Sequence, residues 1–125
     1  MSVLLDTSVW VDHFRRANAA LVHLVTLDQA LTHPMVTIEL ACGTPPASRA
    51  KTLGDMALLG SVQRATLDEV QAFIERERLY GLGCGLVDLV LLCSVLITPN
   101  ARLWTMDKRL HEMAARFDVS YEPAH

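Results

Sequence analysis

Short apolar runs alternate along the chain with longer stretches in which apolar residues recur at helical spacing. The short runs predict β-strands at positions 3–5, 30–33, 61–65, 103–104 and, as a final edge strand, 119–121. The longer stretches predict helices at positions 8–16, 21–27, 34–42, 47–59, from 66 onward, 86–97 and 107–117. This alternation favours an α/β fold, a three-layer α/β/α arrangement in which helices flank a short, mainly parallel central sheet of about four to five strands.

Local signals support several of these boundaries. Pro34 suits the first turn of a helix, and Thr66 and Glu69 have the spacing of a capping box. The helix at 86–97 is apolar on every side, which indicates that it is central and buried. The glycine-rich segment 81–85 is interpreted as a connection rather than a dinucleotide-binding loop, because it follows a helix and its glycine spacing does not match that motif.

Composition fits a single domain over residues 1–125 and limits its partners. Hydrophobic residues make up 51% of the chain, enough to build a core, and the formal net charge is −3. A nucleic-acid partner would therefore need local basic patches or bound cations. Three cysteines without a Cys-x-x-Cys pair, no secretory leader and no apolar run of bilayer length predict a cytoplasmic protein with reduced thiols and no membrane association.

Four acidic residues stand at positions that solvation alone does not explain. Asp88 lies in the apolar helix at 86–97, where an unpaired buried carboxylate is costly, and Glu39 lies between apolar neighbours. Asp6 and Asp107 come at the C-terminal ends of predicted strands. Each also has a structural explanation when taken alone, since Asp6, Asp88 and Asp107 are suited to helix capping and Glu39 to a solvent-facing helix position.

Together, the four acids predict a metal site. The C-terminal ends of the strands form the ligand crevice of an open parallel sheet, and carboxylates gathered there repel one another unless cations bridge them. Carboxylate oxygens select Mg²⁺ or Mn²⁺. The neighbouring hydroxyls of Thr7, Ser8 and Thr105 would orient the carboxylates or hold metal-bound waters. The histidines show no ligand spacing and are interpreted as surface or packing residues: His13, His23, His33, His111 and His125.

Four segments resemble the PIN-domain family and, within it, the VapC toxins of bacterial toxin–antitoxin pairs. They are Leu-Leu-Asp6-Thr-Ser-Val-Trp, Ile-Glu39-Leu-Ala-Cys-Gly, Gly85-Leu-Val-Asp88 and Thr105-Met-Asp107-Lys-Arg-Leu. Each segment is short, but their order and separations match, and they span most of the chain. Asp6, Glu39, Asp88 and Asp107 fall on the four acidic positions of the family. The resemblance implies that these four residues hold the metal and are catalytic. Some relatives carry a further acid where this chain has Thr105, so the resemblance allows either one or two bound ions.

The resemblance implies a Mg²⁺- or Mn²⁺-dependent endoribonuclease that hydrolyses RNA phosphodiester bonds with a metal-activated water. It also implies a homodimer, and inhibition by a cognate VapB antitoxin whose tail occupies the acidic groove. The low net charge is consistent with this chemistry, because divalent cations would offset the acidic ligands.

Contacts to RNA are less well defined by the sequence. Arg15 and Arg16 are preferred as phosphate contacts because they end the helix that Asp6 introduces. Further candidates, each equally explained as a solvated surface charge, are Arg49, Lys51, Arg102, Lys108 and Arg109.

Two other functions stay open at this point. One is a catalytically silent PIN-like module that binds RNA or protein. The less favoured one is a Mg²⁺-dependent phosphatase or receiver-type α/β domain. A phosphatase of the haloacid-dehalogenase type would need an acid where Ser8 stands, and Lys108 is poorly placed for a receiver.

Overall fold

A parallel sheet forms the centre of the computed structural model, which describes residues 1–123. Its strands are β1 (Ser2–Leu5), β2 (Ala30–Thr32), β3 (Gly60–Ser61) and β4 (Ala101–Trp104), ordered β3-β2-β1-β4. β1 therefore pairs on both sides, with β2 and with β4. Val3, Leu4 and Leu5 have no exposed surface. Because successive side chains of a strand point to opposite faces, both faces of β1 are covered.

Helices connect and flank these strands: α1 (Thr7–Arg15), α2 (Ala19–Thr26), α3 (Pro34–Cys42), α4 (Arg49–Met56), α5 (Leu67–Glu77), α6 (Leu86–Leu96) and α7 (Lys108–Arg116). The predicted capping box is confirmed at α5, where the Thr66 hydroxyl accepts from the Glu69 amide at 3.1 Å and the Glu69 carboxylate accepts from the Thr66 amide at 2.9 Å. The predicted α/β fold, with helices around a parallel sheet, is confirmed.

α6 is the central helix, as its apolar sequence predicts. Every residue from Leu89 to Val95 is buried, and the one hydroxyl among them, that of Ser94, accepts a hydrogen bond from the Ala65 amide at 3.1 Å. Its first turn lies at the surface, where Leu86 is 58% exposed. Neither α6 nor any other helix within residues 1–123 is long and apolar enough to cross a membrane.

Helix α1 begins at Thr7, whereas the sequence pattern favours Ser8 as its N-cap. Asp6, not Ser8, is its N-cap, because the Asp6 carboxylate accepts from the Thr7 amide at 2.7 Å. The Ser8 hydroxyl donates to Asp6 instead of capping the helix. The first acid of the predicted site is thereby held at the junction of β1 and α1.

Three further boundaries differ from the prediction. Helix α4 covers 49–56 rather than 47–59, because the chain turns at 57–59 to enter β3. Strand β3 covers 60–61 rather than 61–65, since pairing with β2 ends after the Val62 amide donates to the Thr32 carbonyl at 3.1 Å. The segment 119–121 is not a strand but a single parallel bridge between Ser120 and Leu103.

Candidate active site

Asp6 occupies the junction between β1 and α1 with its carboxylate almost fully buried, at 6% exposure. One oxygen accepts from the Thr7 amide, and the other accepts from the hydroxyls of Ser8 at 2.9 Å and Thr105 at 2.6 Å. These three donors compensate the burial of a charged group. They also fix the plane of the carboxylate, so Asp6 is the most constrained acid of the site.

Two hydroxyl groups connect the ends of β1 and β4. The Ser8 oxygen accepts from the Met106 amide at 2.9 Å, and the Thr105 oxygen accepts from the Asp107 amide at 3.0 Å. Both hydroxyls donate to the same Asp6 oxygen, although they lie 3.4 Å from each other. The predicted orienting roles of Ser8 and Thr105 thus correspond to hydrogen bonds to Asp6.

Glu39 is joined to this network through Thr7. The Thr7 hydroxyl donates to the Glu39 carboxylate at 2.7 Å, which links the first residue of α1 to α3. Glu39 itself is exposed, so its second carboxylate oxygen is open to solvent or to a ligand. Helix α3 is in turn capped by His33, whose ring nitrogen accepts from the Met35 amide at 3.0 Å. Sequence reasoning missed this capping role, which the position of His33 directly before Pro34 indicates in retrospect.

Asp88 and Asp107 combine helix capping with a place at the same end of the fold. Asp107 caps α7 by accepting from the Leu110 amide at 3.0 Å, and Asp88 accepts from the Gly85 amide at the start of α6 at 3.2 Å. The structural explanation that each acid has when taken alone is therefore correct. It does not compete with a role in a site, because each carboxylate uses only one oxygen in its cap.

Asp88 lies within reach of the charges of the other three acids. Its pKa lies above the ordinary value, chiefly because the carboxylate is partly buried, and also because Asp6, Asp107 and Glu39 repel its negative charge. The hydrogen bond from Gly85 opposes this shift. The chain thus concentrates negative charge from four separate segments at the end of the sheet.

The donor set suits a hard divalent cation. One oxygen in each of Glu39, Asp88 and Asp107 accepts no hydrogen bond from residues 1–123, and all four side chains offer oxygen alone. Over the same range, no three Asp, Glu, His or Cys side chains approach closely enough to hold one ion as they stand. Binding of one ion by three of these acids would therefore require Glu39, Asp88 or Asp107 to move toward Asp6.

The two preferred arginines lie on different parts of the surface. Arg15 lines a groove of about 410 Å³ together with Thr7 and Glu39, so it borders the acidic network. Arg16 is the exposed C-cap of α1 and does not line this groove. Of the histidines, His33 packs inside and His111 pairs with Glu122 at 3.0 Å, whereas His125 lies outside the described residues.

Comparison with known proteins identifies the family. No family model matches the chain. The chain is 45% identical over 118 residues to Ribonuclease VapC32 of Mycobacterium tuberculosis, in strain CDC 1551 / Oshkosh and equally in strain ATCC 25618 / H37Rv. The match covers 94% of this chain and 94% of the relative. Such similarity along the whole chain, together with the parallel α/β fold, shows that the protein belongs to the VapC family of PIN-domain ribonucleases.

Proposed function

We propose that the protein is an endoribonuclease whose acidic site holds Mg²⁺ or Mn²⁺, as one or two ions, between Asp6, Glu39, Asp88 and Asp107. The observation that carries this proposal is the hydrogen-bond network around Asp6, in which Thr7 connects Asp6 to Glu39 and Thr105 connects Asp6 to the Asp107 amide. The pKa of Asp88, raised chiefly by burial and further by the other three carboxylates, supports it. Like charges held together in this way attract a divalent cation. The ribonuclease named among its relatives supplies the substrate class, RNA.

The reaction is hydrolysis of a phosphodiester bond. A bound divalent cation would supply the positive charge that lowers the pKa of a water molecule and stabilises the departing oxygen. The water oxygen bonds to phosphorus, the bond from phosphorus to the 3′-oxygen breaks, and the leaving oxygen takes up a proton. A carboxylate oxygen that is not engaged by the cation accepts the proton that the water loses.

The side chains divide this work according to their surroundings. Asp6, which accepts three hydrogen bonds, serves as the fixed ligand against which the others align. Glu39, Asp88 and Asp107 each keep one oxygen free of hydrogen bonds from residues 1–123 and would complete the site by moving toward Asp6. Ser8 and Thr105 hold Asp6 in place, and Thr7 does the same for Glu39.

The biological setting of this activity follows from the family. We propose that a cognate VapB antitoxin neutralises the enzyme by covering the acidic groove, and that the toxin acts as a homodimer on RNA in the cytoplasm. Arg15, at the border of that groove, would contact phosphate, and Arg16 would extend the contact along the strand.

The proposal is tested by incubating purified, antitoxin-free protein with a panel of RNAs in Mn²⁺, in Mg²⁺ and in excess chelator. We expect cleavage with either ion, none with chelator, and none by Asp6→Asn or Asp88→Asn. The matched control is Asp68→Asn, which changes an exposed acid in the first turn of α5 and should cleave like the wild type. Protein that binds RNA but leaves it uncut with every ion would instead be a silent binding module.

A further inference from the structure

The glycine-rich connection between α5 and α6 has a defined conformation beside the acidic site. Gly81 and Gly83 both have a positive φ angle, at +72° and +89°, a backbone conformation that residues other than glycine rarely adopt. The connection ends at Gly85, whose amide donates to the Asp88 carboxylate. The backbone of this segment therefore forms one border of the site.

Gly83 also makes room for a particular side chain. A Cβ atom at Gly83 would lie 2.6 Å from Nη1, 2.7 Å from Cδ and 3.0 Å from Cζ of Arg109. These distances are too short for non-bonded atoms, so the arginine lies directly against the glycine backbone. A Cβ atom at Gly81 would meet nothing within 4 Å. The two glycines thus share the same backbone requirement, but only Gly83 has Arg109 packed on it.

Within the described part of the chain, the guanidinium of Arg109 has no hydrogen-bond or ion-pair partner. Among residues 1–123, no carboxylate lies within 4.0 Å of it, and it donates no hydrogen bond. Three arginines differ in that they donate to backbone carbonyls: Arg49 to Ala41, Arg102 to Ser120 and Arg116 to Glu77. Over the same range Arg15, Arg16, Arg64 and Arg78 also lack such partners, so the packing on Gly83 is what distinguishes Arg109. Arg109 is an exposed side chain that packs on Gly83, and its charge has no partner among residues 1–123, which suits a residue that binds an anion.

The charge of Arg109 and the charges of two of the acids act on the same neighbouring side chain, that of Cys84. The pKa of the Cys84 thiol is raised chiefly by burial and further by the negative charges of Asp88 and Asp107, whereas Arg109 lowers it. Cys84 lies between Gly83, on which Arg109 packs, and Gly85, whose amide donates to Asp88, and Asp107 caps the helix that carries Arg109. Both carboxylates and the guanidinium therefore lie near this short stretch of backbone. Arg109 lies on the Asp88 and Asp107 side of the site, whereas Arg15 shares the groove of Glu39.

We propose that Arg109 binds a phosphate of the RNA strand next to the bond that is cleaved. Arg109 can take this position because Gly83, on which it packs, has no side chain. This inference rests on the proposed ribonuclease function. A guanidinium matches phosphate oxygens by paired, charge-assisted hydrogen bonds, and an RNA strand entering an acidic site needs such a contact to offset repulsion. Arg109 is therefore a substrate-binding residue rather than a ligand of the metal.

The test measures kcat, KM and the salt dependence of binding for an RNA that the wild-type protein cleaves. For Arg109→Ala we expect KM to rise about tenfold, which corresponds to about 1.4 kcal/mol. Binding is measured in an Asp6→Asn background, where the strand stays intact. There, loss of one phosphate contact should reduce the slope of log affinity against log salt by about 0.7 to 1. Arg109→Lys should restore part of the affinity.

Gly83→Ala tests the geometry independently of the charge. It should displace Arg109 and reproduce the higher KM, yet add nothing further in the Arg109→Ala background. Gly81→Ala imposes similar backbone strain with no contact to Arg109, so it should keep the wild-type KM. Arg76→Ala removes one exposed positive charge from α5 and should also keep it.

Two results would overturn the inference while leaving the proposed function intact. One is an Arg109→Ala variant whose KM and salt slope equal those of the wild type. This result counts against the inference even if the variant is less thermally stable. The other is a lower kcat at unchanged KM, which would indicate a role other than substrate binding. A wild-type protein that leaves all RNA uncut would instead defeat the proposed function itself.

Discussion

The hydroxyl of Thr105 donates to the Asp6 carboxylate across 2.6 Å and joins the ends of β4 and β1. Both side chains are buried, and they lie 99 positions apart in the sequence. A buried carboxylate depends on its hydrogen-bond donors for stability and for orientation. The orientation of Asp6, near the start of the chain, therefore depends on Thr105, a residue in the last quarter of the chain.

Replacing Thr105 by valine should reduce both stability and RNA cleavage. The Thr105→Val side chain keeps the shape but offers Asp6 no donor, and it offers the Asp107 amide no acceptor. We expect the free energy of unfolding to fall by about 1–3 kcal/mol, as for other lost hydrogen bonds to charged groups. Chemical denaturation and initial cleavage rates measure the two effects. Thr105→Ser keeps the hydroxyl and should resemble the wild type, and a fully active Thr105→Val would show that Asp6 needs no such support.

Neutralising Asp88 should stabilise the metal-free protein while removing its response to metal. The pKa of Asp88 is raised in the folded state, so the charged form at neutral pH costs stability, and Asp88→Asn removes that cost but keeps an oxygen for the Gly85 amide. In chelator, the variant should melt above the wild type. With saturating Mn²⁺ the wild type should gain stability, about 2.7 kcal/mol at a hundredfold excess over Kd, and the variant little. Equal gains in both proteins would remove Asp88 from the site.

Acid should weaken the start of helix α3 through His33. The side chain is 4% exposed and accepts from the Met35 amide, and its pKa is lowered below 6.5 by burial and, less strongly, by Arg64. Because the unfolded state binds the proton more readily, stability should fall as pH drops from about 6.5 toward the folded pKa. His33→Asn caps the helix without titrating, so it should lose less stability on acidification. Denaturant melts in chelator on both sides of this range measure the difference, and parallel losses would contradict it.

The fold was predictable because its main signals are local. The apolar run at 3–5 and the all-apolar stretch in α6 required only the pattern of side chains to be assigned as a central strand and a buried helix. The capping box at Thr66 is equally local. The end of β3 was not predictable, because residues 62–65 contain no glycine, proline or other strand-ending residue and the chain leaves the sheet only where the pairing with β2 ends.

The hydrogen bonds that connect the candidate site could not be predicted from the sequence. The positions of Asp6 and Asp107 at strand ends indicated that they meet, whereas the bonds from Ser8 and Thr105 to one oxygen of Asp6 depend on the register between β1 and β4. The packing of Arg109 on Gly83 joins two segments with no shared motif, so the sequence indicated Arg109 only as one of several candidate phosphate contacts, after Arg15 and Arg16.

Binding of Mn²⁺ by single neutral variants, followed by the electron paramagnetic resonance signal of the free ion, tests the four-carboxylate site most directly. The variants are Asp6→Asn, Glu39→Gln, Asp88→Asn and Asp107→Asn, with Asp68→Asn as the control. We expect each to weaken Mn²⁺ binding by more than the roughly 10- to 100-fold that loss of a supporting residue costs, and the control to bind like the wild type. Wild-type affinity in all four variants, or no binding by the wild type, would contradict a metal site formed by these acids.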